Sequence, residues 1–527
     1  MSFVSAAFLG FLAALLLLYY LLPGSLRKYQ WVLLLIGSIF FYAISGPKYL
    51  VFMAATILST YLAARAIDGV WLRQEVWAKE NKALPREEKK VHKARATRKA
   101  KWILIGCLIF NLGILAVIKY TDFILENLNG IFGTDFALMH FILPLGISFY
   151  MFQSLGYVID VYRRKYAAEK NICKAALFTS FFPQVIQGPI SRFDELSKTL
   201  FAEHAFDPRS FYFGMLRVAW GFFKKLVIAD RLAPVIVTLS AADQEYTGVY
   251  VLANVFFYAI QLYADFTGGI DITIGVAEMF GVHVTENFDR PYFSRDIAEY
   301  WRRWHITMGT WFKDYIFYPL SVSGWMLKLS KWSRAHLGAA LGKRIPVYLA
   351  TIVVWFATGV WHGAAWNFIV WGMLNCLVLL ISQELTPLYR RFHNRFGFSN
   401  TRVWDGVQIF RTFWLMGLIR ILDVYRDVPR TFRMVGSIFT TPNWGALTDG
   451  SFLKLGATAA DLMVVAVGVL LMFCVSLWKG KRPLFESVNA KPVVVRGFLL
   501  WALILVIVVF GVYGIGFDAS KFIYNQF

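Results

Sequence analysis

Apolar runs of about 18 to 20 residues recur along this chain, and no other feature constrains its fold as strongly. Each is long enough to cross the hydrocarbon core of a bilayer as a helix. Hydrophobic residues make up 58% of the 527, and charged residues only 17%. A soluble protein of that length could not solvate such a surface. The chain is therefore predicted to be an all-α polytopic membrane protein, with roughly eleven transmembrane helices and several shorter, broken pieces. The first run, 8–22, lacks a basic leader and a small-residue cleavage site, so it reads as a retained helix rather than a signal peptide. No long linker divides the chain, and one membrane domain, 1–527, is the simplest parse.

The net charge is +21. In a soluble chain that would suggest nucleic acid as a partner. Here the bases sit in short loops between spans, the topology bias of membrane proteins, and nucleic acid is discounted. Segment 73–101 carries eleven Lys/Arg against four Glu. It reads as a solvated, helical, cytoplasmic segment after three crossings, near 6–22, 31–44 and 49–66. A contact with anionic lipid is its functional alternative. This parity puts the N-terminus outside, and the count through the last span puts the tail, 517–527, outside as well. Cys107, Cys173, Cys376 and Cys474 are isolated, which supports neither a disulfide framework nor a zinc site.

Several stretches interrupt the apolar pattern. Pro183, Gln184, Gln187, Gly188 and Pro189 break the run after 175–182, predicting a re-entrant or broken helix that lines a cavity, with a kink packed on its neighbours as the plainer alternative. Asp265 and Asp271 flank a glycine pair. Asp271 is expected to cap a helix starting near Ile270, and Asp265 stays open between acid/base chemistry and cation binding. Over 293–320, Trp301, His305, Met308 and Phe312 fall at i, i+4, i+7 and i+11. That spacing predicts one amphipathic interfacial helix carrying His305 inward, with Arg302 and Arg303 largely off its apolar face.

The densest chemistry is at Trp361-His362-Gly363, with apolar sequence on both sides. A titratable side chain at membrane depth is costly and usually functional, and His305 is its best candidate partner. The plain alternative is a buried structural histidine bonded to a backbone carbonyl. Two histidines could serve a catalyst, a metal pair or a proton relay. A zinc site needs three or more ligands, and no carboxylate or cysteine lies in local register, so no metal is assigned. A proton-coupled transporter of an anionic solute would use broken helices, but no internal repeat is visible. An acyltransferase fits better: a histidine near neutral pKa can activate an acceptor hydroxyl.

These residues resemble the membrane-bound O-acyltransferase family, close to its bacterial alginate O-acetylation branch. The resemblance is carried by 143–153, 182–190, 286–292, 301–318 and 361–363, in family order across most of the chain. It implies a ring of helices around a thinned centre, with a funnel on each face. It implies that His362 is the family's invariant histidine and that His305 fills the second catalytic position. With these, Arg302, Arg303, Trp304, Trp361, Gln187, Asp265 and Asn287 are candidates to line the donor tunnel. An acyl thioester such as acetyl-CoA is the implied donor, with no bound cofactor. The implied partners are an extracytoplasmic SGNH-type transferase and polysaccharide synthesis machinery. The tail 522–527 resembles a C-terminal motif in which a tyrosine relays the acyl group, which makes Tyr524 a candidate relay; an aromatic belt anchor is the alternative. D-alanylation of teichoic acid from a carrier protein is the nearest rival reaction.

Overall fold

A computed structural model describes residues 2–242, 244–478 and 484–513. Among them the chain is helical, with no strand and a single antiparallel bridge, Phe288 to Trp304. Eight helices are long and apolar enough to cross a membrane: Gly24–Ser45, Pro47–Glu80, Arg86–Phe132, Val249–Met279, Ala339–His362, Trp366–Glu384, Ala459–Leu477 and Val493–Phe510. Ala6–Leu21 is apolar but shorter. Two other expected crossings form helices that miss that description. Ile147–Tyr162 has only 16 residues, and Arg402–Arg420 contains Arg402, Asp405, Arg411 and Arg420.

The chain divides into two compact units, Met1–Phe211 with Val276–Thr285, and Tyr212–Gly275 with Glu286–Phe527. In the first, the basic segment 73–101 is the turn and flanking ends of two long helices, Leu50–Glu80 and Arg86–Phe132, and its bases are largely exposed. The expected break follows Ile172–Ser180. The backbone groups it releases find partners: Phe182 N–H donates to Ser38 Oγ (3.1 Å), and Ser191 N–H donates to Gln153 Oε1 (3.4 Å). That is how irregular backbone persists in an apolar setting. Gln187 is buried here, and neither end of its amide has a hydrogen-bond partner among the described residues.

The helix Pro208–Phe222, which belongs to the second unit from Tyr212 on, runs through a wide π-type turn, Phe223–Ala229, into Asp230–Ser240. It crosses Val249–Met279 through glycines. A Cβ on Gly268 would lie 2.9 Å from the Gly221 carbonyl oxygen, and one on Gly275 only 2.6 Å from that of Gly214. Small residues let the backbones touch. At that spacing Lys224 reaches both Asp271 and Thr267 (2.7 Å to Thr267), while Lys225 reaches Asp265 (2.5 Å) and Asp230 (2.8 Å). Arg217 donates to Asp271 (2.6 Å) and in bidentate fashion to Glu286 (2.7 and 2.8 Å). We expect Gly268→Val to force the helices apart and cost about 1–3 kcal/mol. A thermal melt in detergent checks this; an unchanged midpoint would mean the crossing is loose.

This network overturns one expectation. Val249–Met279 is continuous, so Asp271 caps nothing; it is a mid-helix carboxylate neutralised by two buried cations. The local pattern Asp-Phe-Thr-Gly-Gly-Ile-Asp reads as a helix start only because the opposing cations lie some fifty residues upstream. The amphipathic helix over 293–320 is also overturned. The segment is divided into Ile297–Arg303, Ile306–Phe312, a π-type turn Lys313–Phe317 and Tyr318–Ser321. Trp304 is extended and His305 left-handed (φ 48°). Tertiary hydrogen bonds replace the helical ladder at the break: Asp289 N–H donates to Arg303 O (2.9 Å) and Ile306 N–H to Asn287 O (3.0 Å).

Candidate active site: two buried imidazoles on one indole

The helix Ala339–His362 ends where Gly363 turns extended. A Cβ on Gly363 would fall 2.2 Å from the Phe368 ring, so the chain reverses tightly into Trp366–Glu384. The two helices then close on each other through Gly359 and Gly372, whose added Cβ atoms would meet the Phe368 and Trp355 carbonyl oxygens at 2.6 Å. This antiparallel pair seats the His362 ring edge-on to Trp371, centroids 4.6 Å apart, and beside Trp361 at 5.1 Å. His362 is 6% exposed.

His305 arrives from the break just described and is 1% exposed. Its ring meets Trp361 at 6.0 Å and Phe266 at 5.0 Å. Both candidate histidines therefore pack on the same indole. Asn287 orients His305. The Thr307 N–H (3.0 Å) and hydroxyl (2.9 Å) both donate to Asn287 Oδ1, which fixes the amide with its oxygen inward. The same oxygen is 3.3 Å from His305 Nδ1, so Nδ1 carries the proton and Nε2 the lone pair. Burial, and then the nearby Arg420 cation, pull the His305 pKa from 6.5 down to about 3. The ring is neutral throughout the physiological range.

The sign of its linkage follows. Between pH 6.5 and 3 the unfolded chain binds a proton on His305 that the folded chain refuses, so stability is lost as pH falls. At pH 5 the loss is about 2 kcal/mol. The melting temperature of the wild type should drop on acidification from pH 7 to 5, and that of His305→Gln should drop less. Parallel curves for the two would show that His305 is not the acid-sensitive group.

The sequence reading missed Arg420 and Asp423. Arg420 donates to Asp423 (3.3 Å), and its guanidinium lies 4.9 Å from the centre of Trp371, 5.2 Å from Trp304 and 5.8 Å from Trp301. An arginine inside an apolar run was signal enough to flag it, because such a charge must be partnered. The Arg217, Lys224, Asp271 and Glu286 network was missed too, although two adjacent lysines in the apolar run 211–228 carried the same signal.

The remaining candidates separate. Trp304 is buried and stacked on Tyr300 (5.6 Å, 12° between planes), and Asn287 and Trp361 are part of the site. Arg302 is exposed, and Arg303 pairs with Glu299 (2.7 Å). Asp265 is committed to Lys225, while its neighbour Phe266 is the residue that faces His305. Gln187 belongs to the other compact unit. Tyr524 lies outside the described residues. Among those residues no three His, Cys, Asp or Glu side chains gather as a metal ion would require.

Such a pocket is aromatic and screened from water, with one imidazole held neutral and aimed by a side-chain amide. It can take a proton from a hydroxyl and stabilise the group that forms. Known proteins point the same way. Residues 169–422 match the family model described as MBOAT, membrane-bound O-acyltransferase family. The chain is 35% identical over 506 residues to a probable alginate O-acetylase from Azotobacter vinelandii, covering 93% of this chain and 88% of that one. It is 30% identical over 393 residues to a peptidoglycan O-acetyltransferase from Helicobacter pylori, covering 68% and 66%. A teichoic acid D-alanyltransferase from Bacillus subtilis is similar only in part, 25% identical over 45% of this chain.

Proposed function

The chain belongs to the membrane-bound O-acyltransferase family, and from that premise we propose that it O-acetylates a polysaccharide with His362 as the general base and His305 assisting. The observation that carries this is the packing of both imidazoles on Trp361. The chain is a multi-pass membrane protein and an O-acyltransferase. In the proposed step, His362 takes the proton of an acceptor hydroxyl as its oxygen attacks the carbonyl of an acyl thioester, acetyl-CoA by class. The new C–O bond forms, the C–S bond breaks, and the thiol leaves with the proton returned from the imidazolium. Asn287 keeps the lone pair of His305 turned to its task.

The proposed donor side is cytoplasmic, where the basic segment 73–101 lies by the positive-inside bias, with Arg302 and Arg303 at the donor mouth and both termini extracytoplasmic. Tyr524 is the proposed acyl carrier at the outer face, its phenol handing the acetyl group to an SGNH-type partner that places it on an exported or cell-wall polymer. Reconstitution with labelled acetyl-CoA tests the reading. Label transferred to protein or acceptor supports it. Label accumulated in the lumen without chemistry would make the protein a transporter, and transfer only from a D-alanyl carrier protein would move it to the teichoic acid reaction.

A further inference from the structure

A sizeable cavity of the second unit lies away from His305 and His362, neither of which lines it. It measures about 1150 Å³ and lies between the end of Trp366–Glu384, the helix Thr386–Arg395 and the first turns of Arg402–Arg420. Its charges are unevenly matched. Arg295 is paired within the wall, with Asp405 at 3.1 Å. Arg391 and Arg395 are exposed and make no ion pair among the described residues. Two buried nitrogens of the lining, Trp404 Nε1 and His393 Nδ1, have no hydrogen-bond partner there either. Beneath them is an aromatic floor, with Phe392 4.9 Å from Phe396 and 5.3 Å from Trp404. A basic run that is merely solvated would not enclose unsatisfied polar nitrogens over aromatic rings.

We propose that this cavity binds the headgroup of an anionic phospholipid, its phosphate on Arg391 and Arg395 and its glycerol and upper acyl carbons on the aromatic floor. Two observations and one general rule favour lipid over a soluble anion. Thr386–Arg395 follows directly on Trp366–Glu384, a helix long and apolar enough to cross a membrane, which would bring the cavity to headgroup level. No residue of Thr386–Arg395 is buried, and Leu388 and Tyr389 are 58% and 38% exposed on the cavity wall, where acyl carbons would cover them. Unpaired arginines at this level are also how membrane proteins hold phosphodiesters. This site stands apart from the acyl-transfer reading and is independent of it.

The test uses the full chain in nanodiscs of phosphatidylcholine with or without phosphatidylglycerol, with native mass spectrometry counting retained lipid. Wild type should hold phosphatidylglycerol in preference to phosphatidylcholine. Arg391→Gln with Arg395→Gln should weaken that retention roughly tenfold, while Arg391→Lys with Arg395→Lys keeps most of it. Trp404→Phe, which removes the N–H and keeps a smaller aromatic ring, should weaken it too and guards against misfolding of the double variant. A control pair, Arg98→Gln with Lys101→Gln on the exposed basic face of Arg86–Phe132, should leave retention unchanged. Equal loss in the control pair would reduce the effect to general surface charge and overturn the site. So would undiminished retention in both the glutamine pair and Trp404→Phe. Displacement of the lipid by free coenzyme A would assign the cavity to a soluble nucleotide ligand instead.

Discussion

His362→Ala should reduce acetylation of the polymer by about 10²–10⁴-fold at matched expression. This ring sits against Trp371 and Trp361 and ends a helix whose glycine contacts lock it in place. Alanine would remove the base and also leave a void, so a second variant separates the two effects. His362→Gln keeps most of the volume and a hydrogen-bonding end, but cannot take a proton near neutral pH. If the imidazole is the base, glutamine fails as badly as alanine while the protein melts near the wild-type temperature. Recovery of activity in the glutamine variant would make His362 a packing residue, and wild-type acetylation in the alanine variant would remove it from the chemistry.

The second large effect is on stability. Asp271 neutralises both Lys224 and Arg217 deep in the helix crossing. Asp271→Asn removes the shared counter-charge from two buried cations. Arg217 keeps its bidentate pair with Glu286, whereas Lys224 keeps only Thr267 as a neutral partner. Breaking one side of such a pair costs about 3–5 kcal/mol, because the penalty is the uncompensated charge rather than the lost contact. A large fall in melting temperature and in purified yield is expected. Adding Lys224→Met should restore much of it, since the stranded charge goes with the lysine. If the double variant were no more stable than Asp271→Asn alone, the stranded-charge account would fail.

How much of this was legible depends on how far apart the interacting residues lie in the chain. The apolar runs near 31–44 and 49–66, the break at 183–190 and the apolar sequence leading into Trp361-His362 could be read locally, and the structure has each of them. The 293–320 stretch could not. Its i, i+4, i+7, i+11 pattern is real, but Asn287 and Asp289 compete for the backbone of 303–306 and win, so His305 sits at a break rather than on a stripe. Asp271 misled for the same reason, its partners Arg217 and Lys224 being on another helix. Arg420 could have been noticed as a charge in an apolar run, but nothing local to it names three tryptophans as its surroundings.

The sequence by itself determined that this protein is a helical membrane protein, and it singled out His305 and His362 among its costly polar groups while passing over buried charges such as Arg217, Lys224 and Arg420. Both conclusions rest on the price of placing polar atoms in hydrocarbon, which any single stretch already shows. Only the tertiary structure decided that the two imidazoles share Trp361, that Asn287 sets the tautomer of one, and that Asp271 is a counter-ion. Those facts depend on contacts between residues distant in the chain, and at Asp271 the glycines of the helix crossing bring the partners within reach.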